Sequence, residues 1–131
     1  LKVKDVMVRP VITVKPGTSA REAAQVMVQH QIGSIIIAEG DKPLGIATER
    51  DFMERLLAAG KDPDKTAVDE IMTSKLVDIS PEASVFDAIR LMRAHRYSQL
   101  PVTQDGKLVG IVGLADLMHV LATFIMAERI L

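Results

Sequence analysis

The string Gly45-Ile46-Ala47-Thr48-Glu49-Arg50-Asp51 gathers the side chains of this chain best suited to holding a small polar ligand. An ionised Asp51 offers two acceptor oxygens and can take both hydroxyls of a ribose-type diol. The Thr48 hydroxyl can donate to a phosphate oxygen, and the Arg50 guanidinium presents a planar fork to the same group. A helix starting at Thr48 would add free backbone N–H groups and a positive dipole end. The same spacing has a plainer reading. Thr-x-x-Asp is also an N-cap with an acidic residue placed to suit the dipole. The two roles are compatible, since a cap leaves carboxylate lone pairs free.

Other chemistry is poorly represented. No Ser, Cys or Lys stands in a recognisable nucleophile motif, so the chain is not expected to be an enzyme. His30 and His95 each fall near an expected helix C-terminus, where the dipole favours a partly charged imidazole. They have no closely spaced ligand partners, and no metal site is expected. The absence of Cys excludes disulfides and thiolate metal sites and favours an intracellular, cytoplasmic setting. A net charge of −1 lacks the basic field that nucleic-acid binding needs. No apolar run reaches the roughly 18–20 residues of a membrane span, and no signal peptide opens the chain. With 48% hydrophobic but only 3% aromatic residues, the core must come from Ile, Val, Leu, Ala and Met.

The elements that must position Thr48 and Asp51 are written twice. At an offset of 65, Val3, Met7, Pro16, Ser19, Ala23, Met27 and His30 fall on Val68, Met72, Pro81, Ser84, Ala88, Met92 and His95. Gly45, Ile46, Asp51, Met53 and Leu56 fall on Gly110, Ile111, Asp116, Met118 and Leu121. Each unit reads strand, helix, strand, turn, strand, helix. Val11–Val14 is a short β run, and Ser19 with Glu22 forms a capping box ahead of a helix faced by Ala20, Ala23, Ala24, Met27 and Val28. Ile35-Ile36-Ile37 is a buried strand, with core the simplest role for Ile35 and Ile37. Asp105-Gly106 predicts a tight hairpin. A closing helix follows Thr48 and stops near Gly60. Its counterpart starts near Leu114 and continues to Leu131. The expected organisation is a first repeat at 1–60, a linker at 61–67 containing Pro63, and a second repeat at 68–131. Units of this size bury too little surface to stand alone and should pack together.

The β-α-β-β-α unit is preceded by Val3-Lys4-Asp5-Val6-Met7 and by Val68-Asp69-Glu70-Ile71-Met72. It contains Ser98-Gln99-Leu100-Pro101-Val102 and closes on Gly45-Ile46-Ala47-Thr48-Glu49-Arg50-Asp51. This ordered set, present twice, resembles a tandem pair of cystathionine-β-synthase (CBS) domains, the Bateman module. The resemblance covers essentially the whole chain. It implies an α/β (α+β) fold of two repeats related by a pseudo-two-fold axis. It implies a regulatory module whose cleft between repeats binds AMP, ADP, ATP or, less often, S-adenosylmethionine. Carried over by position, a Thr48/Asp51 site, with Arg50, draws Gly33 and Ile46 from the first repeat. From the second it draws Lys75, Val77, Tyr97, Ser98, Gln99 and Pro101. Val77 and Pro101 sandwich the adenine there. An Asp116 site draws Ile12, Ile32, Gly33, Ser34 and Ile36. The second copy departs from the pattern, with Gly113 for the Thr and Ala115 for the Arg, so the Asp51 site is expected to bind more tightly. The resemblance also implies a homodimer, and the apolar residues Leu117, Leu121, Phe124, Ile125, Ile130 and Leu131 of the last helix point the same way. The competing readings are a scaffold with no obligatory ligand and the regulatory part of a larger protein.

Overall fold

The structure, a computed structural model, describes residues 1–128 and divides into two compact bodies. One is a continuous stretch, Ile12–Leu76; the other joins Leu1–Val11 to the chain from Val77 onward. The packing units therefore cut across the sequence repeats, because the opening segment of each repeat belongs to the other repeat's body.

In the continuous body, β1 (Thr13–Val14) runs parallel to β2 (Ser34–Glu39), which pairs antiparallel with β3 (Lys42–Thr48). A first helix in the chain, α1 (Val3–Val6), belongs to the other body; here α2 (Ala20–His30) covers the sheet. Its Ala20, Ala23 and Met27 pack with Ile35, Ile37, Ala47 and Leu56. That face follows from helical spacing on α2 and from strand alternation on β2. The helix starts where Ser19 Oγ accepts the Glu22 N–H at 3.1 Å. The full capping box forms instead at the second copy, where Ser84 N–H also donates to Asp87 Oδ2 at 3.2 Å. The Ser84 backbone bond, with Arg90 next, holds the Asp87 carboxyl below its usual range. Gln31 ends α2 in the left-handed region at φ 55°, a role glycine usually takes.

After β3 the chain makes one α turn, α3 (Glu49–Asp51), and then winds as a π-helix over Phe52–Leu57. Its Ala58 N–H reaches Met53 O at 2.8 Å, and Lys61 N–H reaches Leu56 O at 3.0 Å. The sequence predicts an ordinary helix here. The wider winding still turns Phe52 and Leu56 onto the core and ends before Gly60, at φ 72°. Residues 61–66 are fastened rather than loose: Arg21 N–H donates to Pro63 O at 3.1 Å and Ala20 N–H to Thr66 O at 2.8 Å. The chain then delivers Val68 and Ile71, both fully buried, into the same core from a short 3₁₀ turn at Val68–Glu70. Each such side chain contributes about 1.5–3 kcal/mol by burial.

The discontinuous body repeats the plan. Val3 of α1 is fully buried in a core built from α4 (Val85–His95), β4 (Gln99–Gln104), β5 (Lys107–Gly113) and Leu117 of α5 (Leu114–Glu128). Its N–H donates to Ala83 O at 2.8 Å, and Lys2 and Lys4 pair with Glu82 at 2.8 and 3.0 Å. Ile79 makes a single parallel bridge to Val102 where the first copy has β1. The β4–β5 turn uses Asp105 and Gly106 at φ 53° and 77°, the hairpin expected of Asp-Gly. The last helix is followed to Glu128; Ile130 and Leu131 lie outside the described residues.

Each opening methionine lies against a glycine. A Cβ added at Gly45 would stand 2.4 Å from Met72 Sδ and 2.9 Å from Thr73 O; one at Gly110 would stand 2.5 Å from Met7 Sδ. The matched Gly/Met pairs seen in the repeat are thus a packing device: the strand must lack a side chain where the opening segment crosses it.

Candidate functional site

Thr48 ends β3 and caps the helix that follows. Its Oγ1 accepts the Asp51 N–H at 3.3 Å, while Asp51 Oδ2 accepts from Thr48 N–H at 2.9 Å and from Thr48 Oγ1 at 3.2 Å. The capping role read from the spacing is therefore realised. It holds the Asp51 carboxylate, only 14% exposed, in one orientation. The second oxygen, Oδ1, lies 3.6 Å from Arg55 Nε.

Strand register decides what shares this corner. Ser34 is the partner of Thr48, and Ile36 of Ile46, so Ser34 and Ile36, which the resemblance assigns to the Asp116 site, stand on the same face of the β2–β3 pair as Thr48 and Ile46. Ile35, Ile37 and Ala47 take the opposite face, toward α2. Ser34 is 3% exposed, and its hydroxyl has no hydrogen-bond partner among the described residues. A buried hydroxyl without a partner forgoes bonds it had in water, which costs about 1–3 kcal/mol. Gly33 links this strand to the helix start, its carbonyl accepting the Glu49 N–H at 3.1 Å. Ile36 is fully buried, and Ile12 and Ile32 are partly buried against the core of this body. Arg50 is 79% exposed and paired with Glu54 at 2.7 Å. Lys75 is exposed, two residues beyond Thr73, which bonds Ile46 through both backbone groups at 3.0 and 2.8 Å.

The other body carries Val77, Tyr97, Ser98, Gln99, Pro101 and Asp116. Gln99 and Pro101 face the same way, opposite Gly113 and Ile111. Pro101 is fully buried, and Val77 packs on the core. Ser98 O accepts the Leu114 N–H at 2.8 Å, repeating the Gly33–Glu49 link. Tyr97 stacks on His95 with ring centroids 5.5 Å apart. Asp116 differs from Asp51. It is exposed, and among the described residues nothing donates to its carboxylate. Its Oδ2 stands 3.1 Å from where a Cβ on Gly113 would be, beside the position Thr48 fills in the first copy. The repeat offset does not single out Arg55, whose counterpart is Val120. Its acid–base spacing from Asp51, i to i+4, was the available signal.

Beside α2 lies an open groove of about 430 Å³, lined by Ala24, Met27, Val28, Ile32, Glu49 and Phe52 among others. Among the described residues there is no group of three or more potential metal ligands, and no helix is long and apolar enough to cross a membrane.

The model of the CBS domain matches this chain twice, over residues 3–58 and 68–123. The chain belongs to the CBS-domain family. It is a tandem CBS pair with an α+β fold. It is 42% identical over 115 residues to the CBS domain-containing protein YhcV of Bacillus subtilis, covering 88% of this chain and 81% of that one. It spans 62%, 50% and 63% of three further curated relatives. Among solved structures, the CBS pair of MJ0100 in complex with 5′-methylthioadenosine and S-adenosyl-L-methionine is 28% identical, with a TM-score of 0.85 over 94% of this chain and 97% of that one. Hypoxic Response Protein I, solved with two coordinated zinc ions, is 31% identical with a TM-score of 0.83, covering 91% of this chain and 98% of that one.

Proposed function

We propose that this CBS pair is a regulatory module that binds an adenosine nucleotide, AMP, ADP or ATP, and reports cellular energy state without catalysing a reaction. The carrying observation is the corner where Ser34, its hydroxyl buried and without a partner among the described residues, stands opposite Thr48, which in turn orients the Asp51 carboxylate. A ribose diol donating to Asp51 and an acceptor for the Ser34 O–H would satisfy both. The adenosine ligands of the MJ0100 pair support the same ligand class. Lys75, Val77, Tyr97, Ser98, Gln99, Pro101, Asp116 and the isoleucines remain ligand residues by family position.

Ser34→Ala separates this reading from a purely structural one. Removing an unsatisfied hydroxyl should leave the ligand-free protein as stable or up to about 1 kcal/mol more stable, while nucleotide affinity falls about threefold to tenfold. Melting curves and calorimetric titrations with AMP, ADP, ATP and S-adenosylmethionine give the two readings. Lower stability with unchanged affinity would count against the proposal, and silence across the whole ligand panel would leave the scaffold reading.

We also propose self-association through α5. Leu117 fills the core, yet Leu114, Met118, Ala122 and Met126 form an exposed stripe at four-residue spacing, and Phe124, two turns beyond Leu117 on that other side, is 51% exposed. A helix apolar on both sides needs a second covering surface. Light scattering at tens of micromolar should give a dimer mass, and truncation after Thr123 should weaken it. A clean monomer mass for the full chain would end this proposal.

A further inference from the structure

Arg55 makes three contacts that no cap requires. Its Nε lies 3.6 Å from Asp51 Oδ1, and its NH1 group donates to Met72 O at 3.2 Å and Ile71 O at 3.4 Å. All of these groups belong to the continuous body. One guanidinium therefore spans the carboxylate at the helix start and the end of the opening segment of the second repeat. That segment is also clasped by Met72 over Gly45 and by the Thr73–Ile46 bonds, and it leads directly to Lys75. The second copy lacks the device: Val120 stands where the repeat would place Arg55.

We infer that Arg55 is a positioning residue for nucleotide binding, resting on the reading of Asp51 as the diol-binding carboxylate. Thr48 fixes one carboxylate oxygen, and Arg55 fixes the other from a base anchored on two backbone carbonyls. With both oxygens held, a diol meets acceptors already in place, so binding loses less to ordering. The same guanidinium couples the carboxylate to the segment carrying Lys75: holding one holds the other.

The test titrates AMP, ADP, ATP and S-adenosylmethionine into the full chain and into Arg55→Ala, Arg55→Lys, Asp51→Asn and Arg55→Ala/Asp51→Asn. Arg55 is half exposed, so Arg55→Ala should weaken the tightest ligand only about threefold to fivefold. Arg55→Lys should recover part of this, keeping the charge but not the fork. Asp51→Asn should weaken the same ligand more, and the double variant should bind no worse than Asp51→Asn alone, because Arg55 acts through that carboxylate. Hydrogen exchange at Thr73 should quicken in Arg55→Ala and be slowed by ligand less than in the parent. If Arg55→Ala lowers melting temperature but leaves affinity within about twofold, or if its loss adds to that of Asp51→Asn, the inference is overturned while the Asp51 reading stands. If Asp51→Asn binds every ligand as the parent does, both fall together.

Discussion

Asp51→Ala should remove the tighter of two nucleotide-binding events, with a loss of about tenfold or more, roughly 1.4 kcal/mol, whereas Asp116→Ala should spare it. The asymmetry rests on how the two carboxylates are held. Asp51 is oriented by Thr48 through two bonds to one oxygen, with Arg55 near the other. Asp116 is exposed beside Gly113 and must be ordered by the ligand itself. Because Asp51 also closes a capping box, its alanine variant should lose about 0.5–2 kcal/mol of stability as well, and Asp116→Ala should lose less. Calorimetric titration and urea unfolding of both variants measure the two effects. If Asp116→Ala abolishes the tighter event, Gly113 makes the better pocket and Thr48 is chiefly a cap.

Gly45→Ala and Gly110→Ala should each destabilise by about 1–3 kcal/mol, since a methyl group has no room at either crossing. Their rescue should differ. The three nearest neighbours of a Cβ at Gly110 all belong to the Met7 side chain, at 2.5, 2.9 and 3.2 Å. Met7→Ala should therefore relieve much of the Gly110→Ala clash. At Gly45 the obstruction includes the backbone oxygen of Thr73 at 2.9 Å, which no side-chain change removes. Met72→Ala should rescue Gly45→Ala only in part. Thermal melts of the four single variants and two doubles decide this; equal rescue at both sites would show that Thr73 yields easily.

What could be read from the sequence was whatever depends on spacing within a few residues. The Ser19 and Ser84 helix starts, the Asp105-Gly106 hairpin and the inward isoleucines at 35 and 37 are set by local chemistry and strand alternation. So is the Thr48–Asp51 cap, although spacing alone could not separate cap from ligand site. The π winding after Asp51 was hidden, because Phe52 and Leu56 read equally well as an α-helical face. The place of Ser34 opposite Thr48 follows from cross-strand register, and the reach of Arg55 to Ile71 and Met72 from a tertiary crossing. The matching Gly/Met pairs were visible as repeats, but their contact pairs the glycine of one repeat with the methionine of the other, which an offset comparison does not reveal.

The exchanged opening segments bear on how the chain folds during synthesis. Ile12–Leu76 has its whole core in one uninterrupted stretch and can close as soon as that stretch has left the ribosome. The other body cannot. Lys2 meets Glu82 across a separation of 80 residues, so the first residues must wait for partners made much later. Closing a flexible loop of that length costs on the order of 4 kcal/mol; prior folding of the intervening body shortens the span and lowers that cost. A circular permutant that joins the C-terminus to Leu1 and opens the chain between Leu76 and Val77 would turn both bodies into continuous stretches and should remove that wait.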